Sequence, residues 1–363
     1  MRDTLSLTAA QARSKDEFCI AIRETNADAP TTYILVYEGG LAQPWSRIDV
    51  SRTIVSITET FCQDDGNFAA VSDEGDIYVL GMNHPLTQKV KGSGVYSADS
   101  TGRGYIACIT EIGKNLYVGG STAQVYRSGV AGLWTDIAGL AIPTELGFED
   151  FGVAFIASSN EQDLYVGGSI TVARRRPTDA EMREAEEAAA AGNIERMVQL
   201  LDTMDHPTAD YTDKGRLYNR LNDRWTRVEL PRSAPLRGIF VEAADKVWIV
   251  GYGGIIFMGN AANGFHDLSL RGDTETILSF TKFGNRYVAA SDSAIHWFNG
   301  HNLEPLRPTT TTSVLSPFKV QAVEDILFYF DRRQGIHRYD GFKWEESRIP
   351  PELLDRHFRG LTR

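Results

Sequence analysis

Short apolar stretches bounded by turn formers recur along this chain at intervals near forty residues. Six of them look alike, at 76–81, 115–120, 163–168, 246–251, 285–290 and 325–330, and a seventh lies at 33–40. Each is rich in β-branched and aromatic residues, so each reads as a strand. The aromatic anchors Tyr78, Tyr117, Tyr165, Trp248 and Tyr287 are spaced by 39, 48, 83 and 39 residues, and Leu327 follows 40 later. The interval of 83 is one period plus an insertion of similar length.

Other strands keep the same phase. Downstream of most anchors come segments such as Gln124-Val125-Tyr126-Arg127 and Ile336-His337-Arg338-Tyr339. A tryptophan then often opens a last strand, as at Trp45, Trp134, Trp225 and Trp344. These indoles suit the rim between neighbouring repeats, where they bury area and keep a polar atom at the edge. Upstream lies a strand of small and apolar residues, at 53–57, 152–156, 238–241 and 277–280. Four strands per period of about 40 is the signature of propeller blades. The chain therefore reads as all-β, a seven-bladed β-propeller forming a single domain over 1–363. Its blades fall near 3–51, 53–92, 104–139, 150–231, 236–271, 277–308 and 317–350. Radial closure leaves fewer open edges than stacked sandwiches would. The tail 358–363 resembles 236–239, and is expected to add an inner strand to the first blade.

Tyr117-Val118-Gly119-Gly120, with Tyr126 and Trp134 after it, resembles Kelch-type repeats. Val247-Trp248-Ile249-Val250-Gly251-Tyr252-Gly253-Gly254 is similar to repeats of photosystem-assembly-factor-like propellers. No single family persists around the ring. The resemblance implies a fold, and fold alone does not assign function.

Blade four is interrupted over 173–213 by an expected α-helical hairpin. Thr178 and Glu181 form a capping box for a helix from about 179 to 190. Asn193 caps a second helix, in which Ile194, Met197, Val198, Leu201 and Met204 make one apolar stripe. The run 187–196 resembles a lone ankyrin-type pair, with Ala185 and Ala189 permitting close approach. Residues 177–210 hold nine acidic side chains and two arginines, a charge of −7 within the chain's −11. The expected partner-binding residues are Asp179, Glu181, Arg183, Glu184, Glu186, Glu187, Glu195, Arg196, Gln199 and Asp202.

An acidic chain is a poor ligand for nucleic acid or anionic membranes, which need clustered Lys and Arg. The three cysteines, Cys19, Cys62 and Cys108, form no CxxC pair and fit a reducing compartment. No secretory pattern opens the sequence and no apolar run is long enough to span a bilayer, so the expected location is cytoplasmic. The seven histidines make no zinc spacing; no nucleophile elbow or P-loop occurs, and no metal or cofactor is expected. The acidic turns around Asp64 and Asp73 lack the calcium-loop pattern. An active site could still be assembled around the channel from distant residues such as Arg103, Glu149, Asp150 and Arg237. The expected function is a non-catalytic protein-binding propeller, an inhibitor or immunity protein that covers a basic bacterial toxin. The alternatives are a hydrolase or lyase acting in the channel, and a structural or assembly subunit.

Overall fold

The computed structural model describes residues 5–25, 31–61, 66–81, 86–129, 132–138, 148–172, 179–193, 196–197, 214–270, 275–308, 315–333 and 335–355. Blade one is β1 (Leu5–Ser14), β2 (Glu17–Glu24), β3 (Thr32–Glu38) and β4 (Trp45–Val50). Blade two is β5 (Ile54–Glu59), β6 (Gly66–Ser72), β7 (Asp76–Gly81) and β8 (Leu86–Lys89). Blade three is β9 (Ile106–Ile112), β10 (Asn115–Gly120), β11 (Gln124–Ser128) and β12 (Trp134–Asp136). Blade four is β13 (Phe148–Asn160), β14 (Asp163–Val172), β15 (Lys214–Leu221) and β16 (Arg224–Val228), with helix α1 (Asp179–Ala190) between β14 and β15. Blade five is β17 (Leu236–Ala243), β18 (Lys246–Gly251), β19 (Ile256–Asn260) and β20 (Gly264–Asp267). Blade six is β21 (Ile277–Phe283), β22 (Arg286–Ser291), β23 (Ile295–Phe298) and β24 (Leu303–Pro305). Blade seven is β25 (Pro317–Val323), β26 (Ile326–Asp331), β27 (Gly335–Tyr339) and β28 (Trp344–Ser347). Each blade is an antiparallel meander of four consecutive strands, and the first strands stand side by side around the axis.

The anchors of blades three to seven lie on second strands, as their spacing implies. Those of blades one and two, 33–40 and 76–81, lie instead on the third strands β3 and β7. Second and third strands are both buried on two faces, so their compositions are alike. The low-aromatic runs Cys19-Ile20-Ala21-Ile22 and Phe68-Ala69-Ala70-Val71 are the true second strands there.

The core is divided into seven apolar clusters, each shared by two adjacent blades. Trp45, Trp134, Trp225 and Trp344 each pack into the cluster shared with the preceding blade. Trp225 also donates its indole N–H to the carbonyl of Ile137 across the blade boundary, at 3.0 Å.

All seven first strands carry a β-bulge at one register, where the residue that loses its pairing is Thr8, Val55, Ala107, Ala154, Arg237, Leu278 or Phe318. A bulge bends the strand and re-aims one side chain. It also drives the backbone two residues earlier against the second strand. A Cβ on Gly120 would lie 2.3 Å from the carbonyl oxygen of Tyr105, and one on Gly168 would lie 1.9 Å from that of Gly152. This close approach is the physical reason for the second glycine of each Gly-Gly pair, whereas Gly119 and Gly167 leave room for the side chains of Val153 and Phe155.

The inner strand of blade one is β1, and residues 356–363, on which the expected tail strand falls, lie outside the described residues. The seam between blades seven and one is closed by side chains and a terminal turn. Lys319 Nζ donates to the carbonyl of Ala10 at 2.9 Å and to Gln11 Oε1 at 2.7 Å. Gln321 accepts from the N–H of Ala12 at 3.0 Å and donates back to its carbonyl at 2.8 Å. Between blades six and seven, the shorter Ser279 and Thr281 make the corresponding bonds. A 3-10 turn, Pro351–Leu354, buries Leu353 against blade one. Arg47 donates to the carbonyls of Leu353 and Asp355 at 2.8 and 2.7 Å.

Blades five and six are joined through Glu242. Its carboxylate accepts from Lys282 at 2.7 Å, Tyr287 at 2.8 Å and Trp248 at 3.2 Å, and Lys246 lies 3.0 Å away. Burial acts to raise its pKa, but these donors prevail and hold it at about 2. A carboxylate depressed on folding contributes stability that is complete above about pH 4.5 and is lost as the pH falls toward about 2. Glu242→Gln should therefore cost roughly 2–3 kcal/mol at neutral pH. Thermal melts from pH 7 to 2 should show the gap from wild type closing in that acidic window. A gap independent of pH would assign the loss to packing.

Candidate partner-binding face and channel

Strand alternation puts the second-to-third connections and the links between blades at one end of the ring. The insertion of blade four is such a connection, so it emerges on this loop face. Helix α1 spans the residues that the capping box implies. Arg183, Glu184, Glu186 and Glu187 are exposed on it. Arg196 is exposed and pairs with Glu184 at 2.8 Å. Asn193 accepts the N–H of Arg196 on its side chain and that of Met197 on its carbonyl, both at 3.0 Å, so it caps the turn that follows. Ala185 is buried against Ala188, whereas Ala189 faces solvent, one position away from the expected contact. The side chains of Asp179 and Glu181, and all of Thr178, Glu195, Gln199 and Asp202, lie outside the described residues.

A second feature of this face was not foreseen. The connection from β8 to β9 is folded around one carboxylate, that of Glu74, which is 4% exposed. It accepts the backbone N–H groups of Val95, Tyr96 and Ser97 at 3.1, 2.9 and 3.1 Å, and the hydroxyl of Ser97 at 3.1 Å. Lys89 donates to the Glu74 carbonyl. Ser100 and Thr101 fasten the loop further by donating to the carbonyls of Gly94 and Gly92. The loop so held presents Tyr96, 82% exposed, with its ring 6.4 Å from that of Tyr105. Tyr252 stands on the same face with the Arg237 guanidinium stacked 4.6 Å from its ring centre. The signal in the sequence was the length of this connection, 16 residues rich in Gly and Ser where the other links between blades have 3 to 11.

The channel encloses a cavity of about 630 Å³. Six of the seven bulge residues, all but Thr8, line it. Arg237 is the one charged residue of that ring. Deeper lie Ser56, Cys108, Ser279 and Lys319, and Glu59 and Glu111 stand toward the far end. Burial pushes the Cys108 thiol up to about 12, so it stays protonated. Burial likewise lowers the Lys319 ammonium to about 8 against the opposing pull of Glu59, whose own carboxyl is raised by burial. Arg103, expected at the channel, is instead paired with Asp136 and lies over the Tyr126 ring. The side chains of Glu149 and Asp150 are outside the described residues. His296 and His337 hold matching third-strand positions away from the channel. Among the described residues no group of three or more His, Cys, Asp or Glu could hold a metal ion. None of their helices is long and apolar enough to cross a membrane.

Seven four-stranded blades around this channel make the chain a seven-bladed β-propeller. No protein-family model matches it, and no curated protein sequence does. Solved structures do match. A catalytically inactive virginiamycin B lyase from Staphylococcus aureus, solved with quinupristin, is similar at a TM-score of 0.60 and 11% identity, over 93% of this chain and 96% of that one. YCF48 bound to a D1 peptide is similar at 0.56 and 11%, over 93% and 94%. Sqt1 of Chaetomium thermophilum, bound to the N-terminus of ribosomal protein L10, is similar at 0.52 and 16%, over 93% and 85%. At these identities the likeness establishes the fold alone.

Proposed function

We propose that this chain is a non-catalytic protein-binding propeller that receives its partner on the loop face. The observation that carries this reading is the convergence there of two added features. One is the acidic insertion of blade four, and the other is the loop built around Glu74 to present Tyr96. Exposed tyrosines on a held backbone are effective contact residues, because they lose little conformational entropy on binding. Long insertions among short connections are often functional. YCF48 and Sqt1, both solved with bound peptide segments, lend support by analogy. The insertion's −7 charge favours a basic partner and would steer its approach. In its sharpest form the proposal is an inhibitor or immunity protein, with the asp- and glu-rich hairpin covering a basic catalytic cleft of a bacterial toxin. Asp179, Glu181, Glu184, Glu186, Glu187, Glu195 and Asp202 supply the charge, and Arg183, Arg196 and Gln199 the remaining contacts.

The test replaces residues 177–210 by a short Gly-Ser link and compares capture from the source cells with that of the intact chain. The expected result is a ring that melts within a few degrees of wild type but recovers at least about tenfold less of a basic partner. The captured partner should be a toxin whose activity the intact chain suppresses. Equal capture by both forms would remove the insertion from the interface. A captured partner without toxic activity would refute the immunity role while leaving protein binding in place.

A further inference from the structure

We propose that the upper channel is a binding site for a small amphipathic monocarboxylate, with the carboxylate on Arg237 and the apolar body inside the bulge ring. This site opens on the loop face but lies inside the channel, and its test needs no protein partner.

The ring comes first. Bulges at one register in all seven inner strands turn their residues toward the axis, where Val55, Ala107, Ala154, Leu278 and Phe318 line the neck of the cavity. That neck is apolar except for Arg237. Ligand sites in proteins are concave cavities of about 300–1,000 Å³ that join apolar surface to placed polar groups; the channel has that size, with its apolar surface at the neck and polar side chains below.

Arg237 carries the specificity. Its guanidinium is stacked on Tyr252 and donates one N–H to the phenol oxygen. An arginine has five donors in a fixed planar fork. Among the described residues no carboxylate lies within ion-pair reach of it. The fork is thus oriented at the mouth and has donors left for a bidentate carboxylate. The second lining cation, Lys319, sends its ammonium deeper, to Ala10 and Gln11, two and three positions past the bulge of β1. The lining carboxylates Glu59 and Glu111 stand four positions past it, about 13 Å deeper at strand rise. The channel is therefore positive toward the loop face and negative toward the other, which orients a single anionic head toward Arg237. A monoanion with a slender alkyl body fits this charge pattern and this neck.

The test titrates the full-length protein with octanoate by calorimetry at low salt. Octanamide and octylammonium serve as neutral and cationic controls of the same length. Octanoate should bind saturably, and both controls at least about tenfold more weakly. Arg237→Gln should bring octanoate down to the level of octanamide, and Arg237→Lys should restore part of the difference. Val55→Trp, which fills the neck, should abolish binding at an unchanged melting temperature; if it fails to fold, Ala107→Leu serves in its place. The proposal is overturned if octanoate shows no saturable heat or binds no better than octanamide. It is equally overturned if Arg237→Gln leaves affinity unchanged, or if a folded neck-filling variant binds like wild type. None of these outcomes bears on partner capture.

Discussion

Glu74→Ala is expected to cost at least about 3 kcal/mol and to release the loop between blades two and three. The carboxylate is buried and accepts three backbone N–H groups and one hydroxyl. Truncation leaves those donors facing a small cavity, and an unsatisfied buried donor costs about 1–3 kcal/mol. Water entering the gap would recover part of this, so the sum stays below the simple total. Chemical denaturation measures the loss. Amide exchange locates it, since Val95, Tyr96 and Ser97 should lose protection while the strands of distant blades keep theirs. Glu74→Gln keeps the shape and one acceptor oxygen, so it should retain an intermediate part of the stability. Unchanged protection at the three amides would show that the loop is held by its own glycine turns and not by the carboxylate. The same variant separates order from contact on the partner face. Tyr96→Ala removes the ring alone, whereas Glu74→Ala removes the platform under it.

Gly168→Val is expected to have the larger effect, preventing accumulation of folded protein at ordinary temperatures. The added Cβ would lie 1.9 Å from the carbonyl of Gly152 and 2.8 Å from the amide nitrogen of Ala154. Both atoms belong to backbone, so no rotamer change relieves the overlap. The inner strand would have to move, and it packs beside its counterparts in blades three and five. Overpacking in a core costs typically 1–3 kcal/mol, and a backbone clash of this kind belongs at or above the upper end. Gly168→Ala should fold with a loss of at least about 2 kcal/mol, read from its melting curve. A wild-type melt for the alanine variant would mean that the bulge can relax, and the close approach would then not explain the second glycine of the Gly-Gly pairs.

The blade count was legible because second and third strands are buried on both faces and must be apolar wherever they fall. That uniformity also hid the phase. Nothing in composition separates Asp76–Gly81 from Gly66–Ser72, and pairing alone shows the former to be the third strand. The rim tryptophans were legible because one large residue recurs where the blade boundary needs volume. The bulge ring was not, since its members face an open channel that sets no size, and Thr, Val, Ala, Arg, Leu and Phe all occur there. Glu74 was hidden for another reason. Its partners are main-chain N–H groups, which every residue but proline carries, so no complementary side chain marks them. The insertion was legible through its capping box and its charge. Which of its carboxylates meet a partner depends on surfaces that one chain does not encode.

The seam between blades seven and one has a consequence in time. Among the described residues no strand is borrowed across it, and all four strands of blade one lie within residues 5–50, ahead of every other blade in the chain. A ring locked by a shared strand must leave its first blade incomplete until the last residues leave the ribosome. Here each blade can pair its strands in the order in which they emerge, as domains fold during synthesis. The late step is then the docking of Lys319, Gln321 and the Pro351–Leu354 turn onto a surface formed long before.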